Sequence, residues 1–384
     1  MDRIAHSLYP LFYPLWLIAA NLTARAGGMI ILLILGHGFA ANQLGDYFAM
    51  LAMVGLGVTA AQAGTGPLLI RLQQAGNLRW AMACVVLRAI IALGAILWIV
   101  VEMGTDTLSQ YWPLLLMPIT AALSPDWIIS ARTEFSRINM IALIAQIAGI
   151  GMAAWAAHAS NPDLLFAVAP AISVASLISS IIFVFNPAKD RTTEPPEHAA
   201  LSQQSCFGMI GFTLLSGVLP NLDFVLLGSD TTLFLAQRIF LICAAFLAAI
   251  SGALFAKQQP GHLRDIWLIA PMAAASLVLW IWPDGVAALI YTKPSDALIT
   301  LLQTGALWPI LLALLSRQIL ILQEHPSAMW VGWLCLCGMI LSAALLPAPA
   351  EPSDILILMQ LRLALVLSLL YVSGLKYLRR VMPS

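Results

Sequence analysis

Charge is scarce in this chain. Asp, Glu, Lys and Arg make up only 9% of its 384 residues, against about 25% in an ordinary soluble domain, so a water-soluble globule of this length is excluded. The few charges also balance, at 18 acidic and 18 basic. That removes the excess of one sign that nucleic acid or an acidic partner would require. Cysteine is nearly as rare. All five (Cys84, Cys206, Cys243, Cys335 and Cys337) fall in or beside apolar segments, and Cys335 and Cys337 stand about 200° apart around a helix, too divergent to share a ligand. They read as small core residues, not as a disulfide framework or a zinc site. The six histidines lie in loops or near the ends of apolar runs. A GxxxxGK(S/T) phosphate loop, HExxH and GxSxG are all missing, which leaves ATP hydrolysis and common hydrolytic chemistries without visible machinery. The chain reads as a non-enzyme that needs no metal or bound cofactor.

What the sequence has instead is apolar residue, 61% of the total. Crossing a bilayer core of about 30 Å takes roughly 20 apolar residues in a helix, and twelve such runs can be marked: 11–35, 47–70, 80–101, 111–131, 138–158, 164–185, 207–228, 231–256, 266–290, 297–322, 327–347 and 355–378. The fold class is therefore all-α integral membrane, with about twelve transmembrane helices. The first run follows Arg3 and has no cleavage-like end, so it reads as a span and not a signal peptide. The ninth carries an internal break, Trp282-Pro283-Asp284-Gly285.

Twelve spans with both termini in the cytoplasm put thirteen basic residues on the inner side, namely Arg3, Arg71, Arg79, Arg132, Arg137, Lys189, Arg191, Lys257, Arg264, Arg317, Lys376, Arg379 and Arg380. The outer loops then hold only Lys293. This positive-inside bias supports the count of twelve and the placing of both termini in the cytoplasm. Tyr47, Tyr111, Trp112, Trp280, Trp282 and Tyr291 near the outer ends, with Tyr9, Tyr13, Trp80, Trp127, Trp267 and Tyr377 near the inner ends, are expected as interfacial anchors. The most polar stretch, Asn186 to Gln204, reads as a solvated cytoplasmic linker. It divides the chain into a six-helix bundle (1–185), a linker (186–206) and a second six-helix bundle (207–384), the layout of a transporter with a central cavity. All other loops are short, leaving no room for an outer catalytic domain.

Four arginines lie inside the spans: Arg25, Arg88, Arg238 and Arg362. Arg25 and Arg88 fall near the middle of theirs, where insertion costs about 2.5–3.5 kcal/mol or more, and no acid lies at comparable depth. They call for an interior partner or a watery cavity. Arg238 and Arg362 are nearer the outer ends and could partly snorkel; each could also close a helix–helix ion pair, for example Arg238 with Asp223. Among polar residues, Asn21 shares a face with Arg25, Thr59 and Gln62 belong to a small-residue stripe with Gly55 and Gly66, and Asn139 shares a face with Gln146. Such stripes fit a cavity lining or close helix packing equally well. A cavity lined by arginine favours an anion, and the planar guanidinium suits phosphate oxygens.

Three motifs add a resemblance. "NLTARAGG…LILG…LGDYFAM" (Asn21, Ala24, Arg25, Gly28, Leu44, Gly45, Tyr47), "SPDWIISARTEF" (Pro125, Asp126, Trp127) and "NLDFVLLG" (Asn221, Asp223, Gly228) resemble elements of the bacterial Wzx-type polysaccharide repeat-unit flippases. The chain is shorter than many of these, and Ala131-Arg132-Thr133-Glu134 departs from their usual pattern after the tryptophan. The resemblance implies the superfamily that also holds multidrug and toxin extruders, with two six-helix bundles in a V that open alternately to each side. It implies transfer of an undecaprenyl-diphosphate-linked oligosaccharide to the periplasmic leaflet, with a polysaccharide polymerase and a chain-length regulator as pathway partners. On this reading Arg25, Arg88 and Arg238 hold the diphosphate, while Asn21, Thr59, Gln62, Asn139, Gln146 and Asn221 line the cavity. Asp223 is the candidate for coupling to a proton or sodium gradient. The alternatives are an organic-ion extruder of the same fold, a membrane-embedded polymerase or ligase, and a structural partner in an export complex.

Overall fold

The computed structural model describes residues 26–104, 108–132, 134–186, 203–227, 230–257, 261–323, 328–345, 349 and 351–381. Asn21, Arg25, Gly228 and most of the expected linker lie outside these. The described chain is helical throughout: α1 Ala26–Gly38, α2 Ala41–Gln62, α3 Gly66–Gln74, α4 Leu78–Met103, α5 Leu108–Tyr111, α6 Leu116–Leu123, α7 Asp126–Ala131, α8 Phe135–Ala159, α9 Leu165–Phe185, α10 Gln203–Val218, α11 Leu222–Leu227, α12 Thr231–Lys257, α13 Gly261–Ile281, α14 Pro283–Ile290, α15 Asp296–Thr304, α16 Trp308–Leu322, α17 Val331–Leu345 and α18 Pro352–Val381. Among the described residues eight helical spans are long and apolar enough to cross a membrane, or nine counting one bent pair; α1, α10 and α17 are shorter apolar helices. Each of the twelve runs expected from sequence holds helix.

Several of those runs are broken, and each break has a local cause. The ninth is two helices, because Trp282 precedes a proline and leaves the helical region (φ −135°, ψ 50°). Pro283, which lacks an N–H, then opens α14, and the two pieces meet at 96°. In the second run Ala63 (φ 50°) and Gly64 (φ 62°) turn left-handed, ending α2 before Pro67 restarts the helix in α3. At Gly64 the bare Cα is required twice over, since a Cβ there would also stand 2.5 Å from the Ile210 carbonyl oxygen.

α4 explains how a charge can point inward. Ala81, Arg88, Ala92, Ala95 and Ile99 form its buried row, spaced along one helical face, with small residues that let α2 come close. Gly57 of α2 meets Ile99 there, where an added Cβ would stand 2.8 Å from Cδ1. The opposite row, Val86, Ile90, Leu93, Leu97 and Val101, is more than half exposed at every position. A wholly apolar exposed face is what a lipid-facing helix presents, and would be an aggregation hazard in water.

α2 also joins the two halves of the chain. It runs along α10, α11 and α12, with Gly45 against Thr231 and Gly55 against Asn221, and Thr59 donates to the Gly217 carbonyl at 3.4 Å. At the end predicted to be periplasmic, the Thr292 N–H and hydroxyl each donate to the Gly36 carbonyl at 3.4 Å, tying α1 to the loop after α14. Gly64→Val is expected to cost roughly 1–3 kcal/mol for the strained backbone and to lower the thermal midpoint in detergent. Gly151→Val, where a Cβ meets nothing within 4 Å, is the control and should leave the midpoint unchanged.

Candidate functional site

The three described intramembrane arginines satisfy their charge in three different ways. Arg362 of α18 is ion-paired with Asp223 of α11, both fully buried, and its Nη2 donates to the Ser342 carbonyl of α17 at 3.0 Å. The pairing of Arg238 with Asp223, considered from sequence, does not form. After Pro220 the chain turns so that α11 packs on α17 and α18. The space on the α12 side is taken by Gln237, whose Nε2 donates to the Pro220 carbonyl at 3.1 Å and to Asn221 Oδ1 at 2.9 Å.

Arg88 docks at the break between α2 and α3. Its Nε donates to the Gln62 carbonyl at 3.1 Å and to Thr65 Oγ1 at 2.7 Å. A broken helix leaves carbonyls without intrahelical partners at its C-terminal end, and a cation there also meets the negative end of the helix dipole. The rest of the side chain faces a cavity of 430 Å³ whose wall includes Gln62, Gly66, Thr120, Ser124, Asp126, Trp127, Ser173 and Ser176. Arg88 and Asp126 lie close enough to influence each other electrostatically, so the acid that the run lengths placed at a different depth shares its chamber.

Arg238 has no acid. Its Nη2 donates to the Phe48 carbonyl at 2.8 Å, its Cζ lies 4.9 Å from the centre of the Phe48 ring, and its Nε is buried without a hydrogen-bond partner. The ionisable neighbours that influence it are the phenols of Tyr47 and Tyr291. The cation–π contact offsets part of the desolvation, but a guanidinium offers five N–H donors, and Arg238 lines the cavity beside it. That cavity, 220 Å³, lies between α1, α2, α8 and α9 on one side and α12 on the other. It therefore sits between the first and second halves of the chain. Its wall is otherwise apolar apart from Gln146 and Tyr47, and Gln146 Oε1 is also buried without a partner. Gly27 makes room for this side chain, since a Cβ there would stand 2.5 Å from Gln146 Cβ.

The remaining expected lining residues divide. Gln62 lines the Arg88 cavity. Thr59 and Asn221 are engaged in helix contacts, Asn139 is half-buried on α8 and belongs to neither cavity, and Arg88 and Arg238 open into separate cavities. Three residues expected as interfacial anchors are in the interior: Tyr47 and Tyr291 beside Arg238, and Trp127 in the Arg88 wall. Composition at span ends does not tell such residues from true anchors. The Ser173 and Ser176 pair, three apart on α9, was the available signal for the second chamber.

No family model and no curated protein matches the sequence. Solved structures do. An inward-facing and an outward-facing structure of multidrug resistance MATE family transporters of the MOP superfamily each align with a TM-score of 0.57; the first is 12% identical over 95% of this chain and 96% of the other, the second 13% over 96% and 94%. A MOP superfamily transporter from Pyrococcus furiosus, described by a reverse polarity of its binding pocket that suggests a different function, aligns at 0.52 with 13% identity over 97% and 95%. The chain has the MATE transporter fold. Of the two cavities described, the one beside Arg238 is lined from both halves of the chain.

The arginines predict opposite responses to deletion. Arg362→Leu leaves Asp223 buried and alone, and is expected to cost about 3–5 kcal/mol and to lower the thermal midpoint sharply. Arg238→Leu removes a charge that no acid balances, and is expected to leave the midpoint unchanged or raise it. Melting of both purified variants in detergent checks this.

Proposed function

We propose that the protein is a flippase that carries a lipid-linked saccharide diphosphate across the bacterial inner membrane by alternating access. One observation carries the reading: Arg238 stands in the cavity between the two halves of the chain with no acidic partner among the described residues and with its Nε buried unbonded. In a low-dielectric chamber such a group attracts an anion strongly. The other walls are apolar and border lipid-facing helices, which suits a polyprenyl chain leaving the cavity sideways. We place both termini and the linker in the cytoplasm from the charge bias. The Gly36–Thr292 contact then ties the two halves together at the periplasmic end. A fold known in both inward- and outward-facing forms fits such a cycle.

The rival on the same fold is a multidrug extruder. Organic cations would need a carboxylate in the central cavity, and Arg238 repels them instead. Pocket polarity differs among transporters of this fold, as the Pyrococcus furiosus protein illustrates.

The test is translocation of fluorescent undecaprenyl-diphosphate oligosaccharide in proteoliposomes. Hydrogen bonds to a charged group are worth about 1.5–3 kcal/mol, so folded Arg238→Leu is expected to lose roughly 10- to 100-fold in rate. Arg238→Lys, which keeps the charge but not the fork, should fall between that variant and the wild type. Transport by the leucine variant at the wild-type rate would refute the assignment.

A further inference from the structure

The larger cavity, built around Arg88, needs a different occupant. All its lining residues precede residue 186, so it belongs to one half of the chain, whereas the Arg238 cavity draws on both. Its wall carries one guanidinium and one carboxylate, Arg88 and Asp126, together with the hydroxyls of Thr120, Ser124, Ser173 and Ser176. The formal charge of the wall is zero. A phosphate drawn to Arg88 would be repelled by Asp126 in the same chamber, while the neighbouring cavity offers an arginine with no acid among the described residues of its wall. An organic cation faces the converse conflict.

What this lining suits is a neutral ligand rich in hydroxyl groups. Each such group donates and accepts at once. Asp126 supplies acceptors, the Nη groups of Arg88 supply donors, Ser173 and Ser176 supply both, and Thr120, whose hydroxyl already donates to the Met117 carbonyl, supplies an acceptor. Trp127 adds an apolar wall, against which the C–H face of a ring can rest. A volume of 430 Å³ lies within the range of small-molecule sites. The position fits as well. Ile172 forms part of the wall of both cavities, so the chambers are neighbours across that side chain.

We propose that the Arg88–Asp126 cavity is the sugar pocket: it takes the pyranose ring attached to the diphosphate whose phosphates sit at Arg238. This rests on the flippase reading above. It assigns Arg88 to the saccharide and not to the diphosphate. A ligand seated this way bridges the cavity within the first half to an arginine of the second half. Loading then requires the two halves to be in one relative position.

Gly66 provides a clean probe. It lines the cavity, and a Cβ there would meet only Arg88 Nη2, at 3.9 Å, so Gly66→Leu can fill the pocket without displacing backbone. Asp126→Asn, which keeps the shape and removes the charged acceptor, is the second variant. Equilibrium binding would be measured with the full chain in nanodiscs, using two labelled probes, undecaprenyl diphosphate and undecaprenyl diphosphate bearing one N-acetylglucosamine. Wild type is expected to prefer the sugar-bearing lipid by about tenfold, the worth of one or two net hydrogen bonds. Both variants are expected to lose that preference while still binding the bare lipid. Equal binding of the two lipids by wild type, or an undiminished preference in Gly66→Leu, overturns the sugar pocket and leaves the diphosphate site standing. Failure of wild type to bind either lipid overturns the flippase reading, and this assignment with it.

Discussion

The cost of holding a guanidinium away from water governs this structure. In an apolar interior each N–H of arginine needs an acceptor, and for Arg88 and Arg362 the fold meets part of that need by breaking or turning helices where they arrive. Arg362 takes the one acid that α11 turns toward α18. Arg88 takes the carbonyl and hydroxyl exposed where α2 gives way to α3. Arg238 takes a single carbonyl and the face of a ring, and remains under-satisfied. Backbone irregularity of this kind is tolerated at membrane depth only where protein or a cavity surrounds it, and the left-handed turn at Ala63 and Gly64 lies next to such a cavity.

This distribution separates structural charge from available charge. The Arg362–Asp223 pair ties α11 to the last two helices, so Asp223 is part of the packing of the second half. The docking of Arg88 fixes its Nε but leaves its outer nitrogens over a polar chamber. Arg238 is the least compensated, and it stands where the two halves of the chain meet. An anion arriving there would supply what the protein withholds, and its departure would restore the cost. On the proposed function, binding energy is thereby tied to the position in which the halves enclose the ligand.

The sequence made much of this legible. Hydropathy located helix in all twelve runs, and Trp282-Pro283 announced the break in the ninth, because these depend on local composition and on the missing N–H of proline. The exceptional arginines were visible for the same reason: charge in an apolar run is conspicuous. Their partners were not. Whether Asp223 met Arg238 or Arg362 depended on how α11 turned after Pro220, and Asp126 reached the chamber of Arg88 through the break at Ser124 and Pro125, which counting along straight spans cannot reproduce. Tyr47, Trp127 and Tyr291 looked like anchors because span ends attract aromatics, while tertiary packing drew them inward. The stripe along α2 and the start of α3 proved to have two uses, with Gly55 and Thr59 in the contact with the second half, and Gln62 and Gly66 on the cavity.

The most direct test is a structure determined with undecaprenyl diphosphate bound. Phosphorus density within hydrogen-bonding distance of the Arg238 guanidinium, between α1, α2 and α12, is the expected result. Phosphates held elsewhere, with Arg238 still resting on Phe48, would contradict the assignment of the central cavity as an anion site.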